Sequence, residues 1–265
     1  MKIPIFQIDA FTSRRFSGNP AAVCPLEKWL PEETMQAIAA ENNLSETAFL
    51  VPRESGFHLR WFTPTLEVDL CGHATLASAF VLWNHLGDRR EVLEFHTRSG
   101  ILRVRRRDDM MVMSFPVLPP HPCDPPGDLL EGLGKPAKEI RFAGETERSG
   151  NYLAEFASEE EVLSLEPNFD LLGRLERCGV IATAPGRQAD FVSRYFVPSF
   201  GIAEDPVTGS THCTLVPYWS ERTGKKRLHA VQVSARGGEL FCELLADSVE
   251  IGGRAVCYME GTAHV

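Results

Sequence analysis

Residues 194–219, RYFVPSFGIAEDPVTGSTHCTLVPYW, have a counterpart in the first half of the chain, residues 60–83, RWFTPTLEVDLCGHATLASAFVLW. In both, Arg, an aromatic residue and Phe (Arg60, Trp61, Phe62; Arg194, Tyr195, Phe196) lead through one residue to Pro and a hydroxyl residue (Pro64, Thr65; Pro198, Ser199). An acid-bearing loop then reaches Gly with small hydroxyl residues, and a hydrophobic segment closes on Trp83 or Trp219. The opening positions match at a spacing of 134 residues and the tryptophans at 136. The second copy therefore carries two extra residues, placed most naturally around Glu204 and Asp205. Recurrence of a strand, a loop and a helix at this spacing indicates an internal duplication, with two similar halves and a site where their loops meet.

Outward from the first copy, Phe57, Leu59 and Trp61 alternate with His58, Arg60 and Phe62, which predicts a strand stopped by Pro64. From Gly72, Leu76, Ala79, Phe80 and Trp83 recur at helical spacing without charge, which predicts a helix buried nearly all round and wrapped by strands. Pro31 to Glu41 reads as a helix ended by Asn42 and Asn43, leaving Glu46 at the junction between a loop and a strand over 47–51. Gly18, Asn19 and Pro20 form a fixed turn after the first strand. Strands are expected over 92–97, 101–106 and 110–115. Five prolines in Val117 to Gly127 mark a linker, because proline continues neither helix nor ladder. The expected domains are 1–116 and 128–253, with the last strand, 254–265, returning to the first. In the second half, strands over 139–142, 151–156, 179–184 and 191–197 and a helix across 159–175 precede the second copy of the repeat.

With 265 residues, 43% hydrophobic and 24% charged, the composition is that of an ordinary globular protein long enough for one large or two medium domains. A net charge of −9 opposes nucleic-acid binding, and the basic run from Arg103 to Arg107 reads as a solvated strand face. Seven scattered cysteines without a CxxC pair predict neither a disulfide framework nor a metal site, and fit a reducing, cytoplasmic setting. The N-terminus lacks the pattern of a signal peptide, and no apolar run has the roughly 20 residues of a membrane span.

A helix that starts at glycine leaves backbone N–H groups open for an anion, most simply a carboxylate, and the sequence offers two such starts, at Gly72 and at Gly209-Ser210. Asp69, Cys71 and His73 flank the first, and Glu204, Asp205 and His212 the second. Proton-transfer groups around a bound carboxylate suit removal and return of a proton at a nearby carbon. His212, inside its helix, is expected to pack. GxGxxG, Walker A and HExxH patterns are absent, so no cofactor is expected.

The segments FSGNPAAV (16–23), NLSET (43–47), CGHAT (71–75) and EDPVTGS (204–210) resemble the signature segments of the phenazine-biosynthesis PhzF-like family. The resemblance implies the diaminopimelate epimerase-like α+β fold, in which two pseudo-symmetric domains each wrap a barrel-like, mainly antiparallel sheet round a central helix. It also implies a homodimer acting without cofactor on a small carboxylate-bearing molecule. By motif match Glu46 takes the position of the catalytic general acid/base, and His73, Asp205 and Ser210 those of assisting polar residues. Gly72 and Gly209 take the carboxylate-binding positions, and Asn19 falls in a segment counted as substrate-binding. The family's phenazine enzyme isomerises trans-2,3-dihydro-3-hydroxyanthranilate by relocating a proton. Racemases and epimerases of the superfamily use two thiols, one from each half. Cys71 stands where one would, but Asp205-Pro206-Val207-Thr208 offers no partner cysteine, so a Glu46-centred isomerase is the expectation. The alternatives are an amino-acid racemase or epimerase, with a reactive Cys71 left open, and a binding protein that kept the fold.

Overall fold

The segment GHATLASAFVLWN has no charged residue, so it is stable as a helix only if surrounded by apolar partners. In the computed structural model, which describes residues 1–146 and 149–265, the helix Gly72–Asn84 lies against strands Asn19–Pro25 and Glu46–Pro52, with all but Gly72, Phe80 and Asn84 buried. Its buried hydroxyls are satisfied within the helix: Thr75 Oγ1 donates to the Cys71 carbonyl at 2.6 Å and Ser78 Oγ to the Ala74 carbonyl at 2.7 Å.

The chain divides into two units, Met1–Ser114 with Gly252–Val265, and Phe115–Ile251. In the first, strand Lys2–Ala10 pairs antiparallel with both Asn19–Pro25 and the final strand Ala255–His264. Asn19–Pro25 runs parallel to Glu46–Pro52, which pairs antiparallel with Phe57–Phe62. Phe57–Phe62 pairs antiparallel with the short Glu67–Val68 and parallel with Val92–Thr97, and Val92–Thr97 pairs antiparallel with Gly100–Arg107. Helix Glu32–Asn42 covers the outer face through Met35 and Ala39, which join Cys24, Phe49 and Phe62 in a core cluster.

The second unit repeats this order strand for strand. Glu139–Thr146 is antiparallel to Ser149–Glu155, which is parallel to Cys178–Pro185, which is antiparallel to Phe191–Val197. Phe191–Val197 pairs antiparallel with Ile202–Asp205 and parallel with Arg227–Gln232, and Arg227–Gln232 is antiparallel to Gly238–Leu244. Helix His212–Thr223 takes the place of Gly72–Asn84, and Leu129, Val162 and Leu172 from three short helices cover the sheet's outer face with Val192 and Phe196.

The structure corrects three expectations. The extra residues of the second copy lie before Glu204, not around it: Phe62 pairs with Glu67, whereas Phe196 pairs with Glu204, and the 3₁₀ turn Pro198–Phe200 fills the longer hairpin. The helix expected over 159–175 is two pieces, Glu159–Leu163 and Phe169–Leu172; Pro167 interrupts the pattern, and Asn168 caps the second piece by accepting from the Asp170 and Leu171 amides. The α-helix expected to start at Gly209-Ser210 starts at His212, preceded by a tighter turn in which the His212 amide donates to the Gly209 carbonyl at 3.0 Å.

Pro217 sits inside that helix and has no N–H to give to the carbonyl four residues back. That carbonyl, of Cys213, accepts instead from the Leu118 amide at 2.9 Å, which fixes the proline-rich segment at its start. Within the same segment His121–Pro122 forms a two-residue strand against Arg141 and Phe142. Among the described residues no helix is long and apolar enough to cross a membrane.

Candidate functional site

Glu46 is delivered by the end of helix Glu32–Asn42. Asn43 closes the helix in the left-handed conformation (φ 48°), the Asn42 side-chain Nδ2 donates to Thr47 Oγ1 at 3.0 Å, and three residues after Asn43 the strand begins at Glu46. His73 comes from the first turn of helix Gly72–Asn84, whose start is extended at Cys71 (φ −146°, ψ 108°) and has no side-chain cap. The packing of this helix on the strand brings Glu46 Oε2 and His73 Nε2 to 3.1 Å, ion-pair distance, without the alignment of a hydrogen bond. On the other side of the ring, His73 Nδ1 is 3.5 Å from Cys71 Sγ. Carboxylate, imidazole and thiol thus stand in a row, with Cys71 and His73 only 6% and 7% exposed.

Electrostatics order the protons along this row. Burial, and then the Glu46 charge, push the Cys71 thiol up to about 11, so it is neutral at neutral pH. Burial opposes the charged form of His73, but the neighbouring Cys71 and Glu46 outweigh it and hold the imidazole well above its usual range. With the thiol neutral, the charge that keeps the proton on His73 near pH 7 is that of Glu46.

Asn19 is fully buried. Its strand runs parallel to that of Glu46 with Ala21 opposite Glu46, so Asn19, two residues before Ala21, lies on the face to which Glu46 points. The turn before it is tight: Gly18 has φ +68°, and a Cβ there would lie 2.1 Å from the Ala10 carbonyl oxygen. The Phe16 amide donates to the buried Asp9 carboxylate at 2.9 Å, which fixes the loop. Asp69 stands apart from the row, its side chain 73% exposed and 3.8 Å from Arg98.

In the second unit Asp205 accepts from Thr208 Oγ1. Gln232, fully buried, braces the loop from beneath: its Oε1 accepts from the Thr208 amide at 2.9 Å and its Nε2 donates to the Asp205 carbonyl at 2.8 Å. Gly209 is buried and Ser210 exposed. His212 packs as expected: it is fully buried, its Nδ1 donates to the Thr208 carbonyl at 2.9 Å, and burial lowers its pKa to about 4.

Two pairs of positions missed as functional on sequence hold both loops in the same way. Arg60 grips Glu67 with two hydrogen bonds of 2.7 and 2.6 Å, and Arg194 grips Glu204 with two of 2.9 and 2.8 Å. Glu204 is therefore a brace at the base of the loop. Ser99 Oγ donates to the Asp69 carbonyl at 2.7 Å, and Ser234 Oγ to the Pro206 carbonyl at 2.6 Å. From Glu67/Glu204 through Asp69/Pro206 to Gly72/Gly209 the spacing is a constant 137, which makes Thr208 the counterpart of Cys71. The available signal was the recurrence of Arg before and Ser after each glycine, with Arg 12 and 15 residues upstream and Ser 27 and 25 residues downstream in the two halves. Gln232 has no matching residue in the first half, where its place is held by Thr97, so repetition could not reveal it.

The profile of the family described as phenazine biosynthesis-like protein matches residues 8–261. A protein of Pseudomonas aeruginosa named as an uncharacterized isomerase is 51% identical over 265 residues, covering 100% of both chains. The crystal structure of a phenazine biosynthesis protein of the PhzF family from Enterococcus faecalis superposes with a TM-score of 0.95 at 45% identity, covering 100% of each chain. A hydroxyproline epimerase from Agrobacterium vitis, at 13% identity and a TM-score of 0.61 over 98% of this chain and 92% of its own, shares the fold.

Proposed function

The chain belongs to the phenazine biosynthesis-like family and is an isomerase of the epimerase-like fold, and on that premise we propose that it relocates a proton on a small carboxylate-bearing substrate, with Glu46 as the proton carrier. The observation that carries this reading is the facing of Glu46 Oε2 and His73 Nε2 at 3.1 Å beside the uncapped helix start at Gly72. The open N–H groups of that start bind the substrate carboxylate and orient it. The Glu46 carboxylate accepts a proton from a carbon near the bound carboxylate, and the protonated Glu46 returns it at another carbon of the same conjugated system. The His73 imidazole, 3.1 Å from Glu46 Oε2, holds the carboxylate in place.

Asp205, Gly209 and Ser210 take the assisting and substrate-binding roles that the family motif gives their positions, and Asn19 takes a substrate contact. A second copy of the chain is the partner implied by the resemblance. An epimerase working through two thiols is less well supported. The counterpart of Cys71 is Thr208, whose hydroxyl is committed to Asp205.

The test is proton NMR in heavy water on a panel of small amino and hydroxy acids and dihydro-hydroxyanthranilate, with wild type and Glu46→Gln side by side. Isomerisation or deuterium uptake by wild type alone supports the reading. Exchange that survives Glu46→Gln moves the chemistry to another residue and sinks it.

A further inference from the structure

We propose that Glu46, Cys71 and His73 form a binding site for Zn²⁺, and that the ion acts there as an inhibitor. Among the described residues these three side chains are the group of His, Cys, Asp or Glu that offers three ligand atoms close together, all within 4.8 Å of one another. Zinc bonds of about 2.0–2.3 Å in a tetrahedron set ligand atoms roughly 3.3–3.6 Å apart. Cys71 Sγ and His73 Nδ1 are already 3.5 Å apart, and Glu46 Oε2 and His73 Nε2 3.1 Å. An ion takes one ring nitrogen, so closing the third edge requires side-chain rotation on the order of 1 Å.

The burial pattern is a second, independent sign of a ligand. Glu46 Oε2 and His73 Nε2 are both shielded from solvent without an aligned hydrogen-bond partner among the described residues, and His73 is 93% buried. Apart from facing each other at 3.1 Å neither atom has a partner among the described residues, and a cation between them would satisfy both. Sulfur, imidazole and carboxylate together are a zinc donor set; the sulfur excludes preference for Mg²⁺ or Ca²⁺. All three residues also stand on fixed backbone, one at a strand start and two at a helix start, so little order is lost on binding.

Binding forms a Zn–S bond as the Cys71 S–H bond breaks, and the proton leaves to solvent; the protonated ring nitrogen likewise gives up its proton to the medium. No electron is transferred. Three protein ligands leave a fourth position, open to water or to a carboxylate held at Gly72. The inhibitory consequence rests on the function proposed above, because the ion occupies the Glu46 lone pair that would carry the substrate's proton. The binding itself does not depend on it.

The experiment titrates metal-free protein with Co²⁺ and follows the near-ultraviolet thiolate-to-cobalt charge-transfer band, with Zn²⁺ then added to displace it. One equivalent is expected, with Zn²⁺ displacing Co²⁺. Cys71→Ser and Cys71→Ala, each checked for native circular dichroism, should lose the band, while Cys123→Ser and Cys257→Ser keep it. Glu46→Gln and His73→Asn should each weaken Co²⁺ at least about tenfold, the scale found even for outer-shell partners. Absence of a band at stoichiometric Co²⁺, or a band that survives in the folded Cys71 variants, overturns the site. A substrate that exchanges at full rate in Zn²⁺-saturated protein overturns the inhibitory role and leaves the site standing.

Discussion

Gln232→Ala removes one fully buried side chain and unpairs two backbone groups of the Asp205 loop. The Thr208 N–H and the Asp205 carbonyl lose partners at 2.9 and 2.8 Å, and the weaker contact from Nε2 to Thr208 Oγ1 at 3.3 Å goes as well. A buried group left without its partner costs about 1–3 kcal/mol, and because Asp205 and Thr208 are only half-buried, water recovers part of this; the loss should be about 2–3 kcal/mol. For a unit of this size that lowers the melting temperature by roughly 5–10 °C. Hydrogen exchange of the peptide spanning 203–212 should accelerate while the strands around Val180 and Phe196 stay protected. Ser234→Ala, which removes the 2.6 Å bond to the Pro206 carbonyl, provides the graded control at about 1 kcal/mol. A Gln232→Ala protein that melts within 2 °C of wild type, with unchanged exchange over 203–212, would refute the claim that this amide braces the loop.

Three further outcomes follow from the first unit. In Glu46→Gln the His73 ring should titrate at lower pH than in wild type, read from its imidazole carbon-proton shifts, because burial then acts unopposed by the carboxylate; an unmoved titration would show that Glu46 is not the source of the raised value. A raised folded-state pKa stabilises fully below the unfolded value near 6.5 and is lost as pH climbs through the folded value, so the stability gap between wild type and Glu46→Gln should narrow from pH 7 upward in denaturant titrations. Gly18→Ala puts a methyl 2.1 Å from the Ala10 carbonyl oxygen at φ +68°, where an L-residue already loses about 1–2 kcal/mol; a total loss of about 3 kcal/mol is expected by urea unfolding, and a neutral result would mean that the turn relaxes freely.

The duplicated α+β architecture was legible because repetition makes weak signals reinforce each other: Arg60 and Arg194 sit in matched strands, and the uncharged run after Gly72 has no place but a core. The boundaries of the second copy were less so. Counting residues shows a net gain of two but not where, and only the pairing of Phe196 with Glu204 puts three added residues in the hairpin, offset by one fewer between Gly209 and Trp219. Pro167 was visible, yet the acidic run before it and the apolar residues after it share a helical period, so the break was absorbed into one helix. Glu46 looks like any solvated glutamate at a strand start; its partner lies 27 residues away, and only the docking of one helix on one strand makes them neighbours. Gln232 was invisible for a related reason, since what matters is the two backbone groups it reaches, and those are fixed by a loop whose path the sequence does not state.

The pairing of Lys2–Ala10 with Ala255–His264 has a consequence for synthesis. Strand Lys2–Ala10 leaves the ribosome well before its outer neighbour, Ala255–His264, is made. At about 5–20 residues per second, residues 115–251 occupy on the order of 10–30 s, during which the edge of Lys2–Ala10, including buried Ile3 and Phe6, has no strand beside it. A nascent or C-terminally truncated chain therefore carries an open, apolar template for pairing with other chains. Loss of Ala255–His264 is predicted to show itself first as aggregation during expression rather than as lower activity of a soluble product.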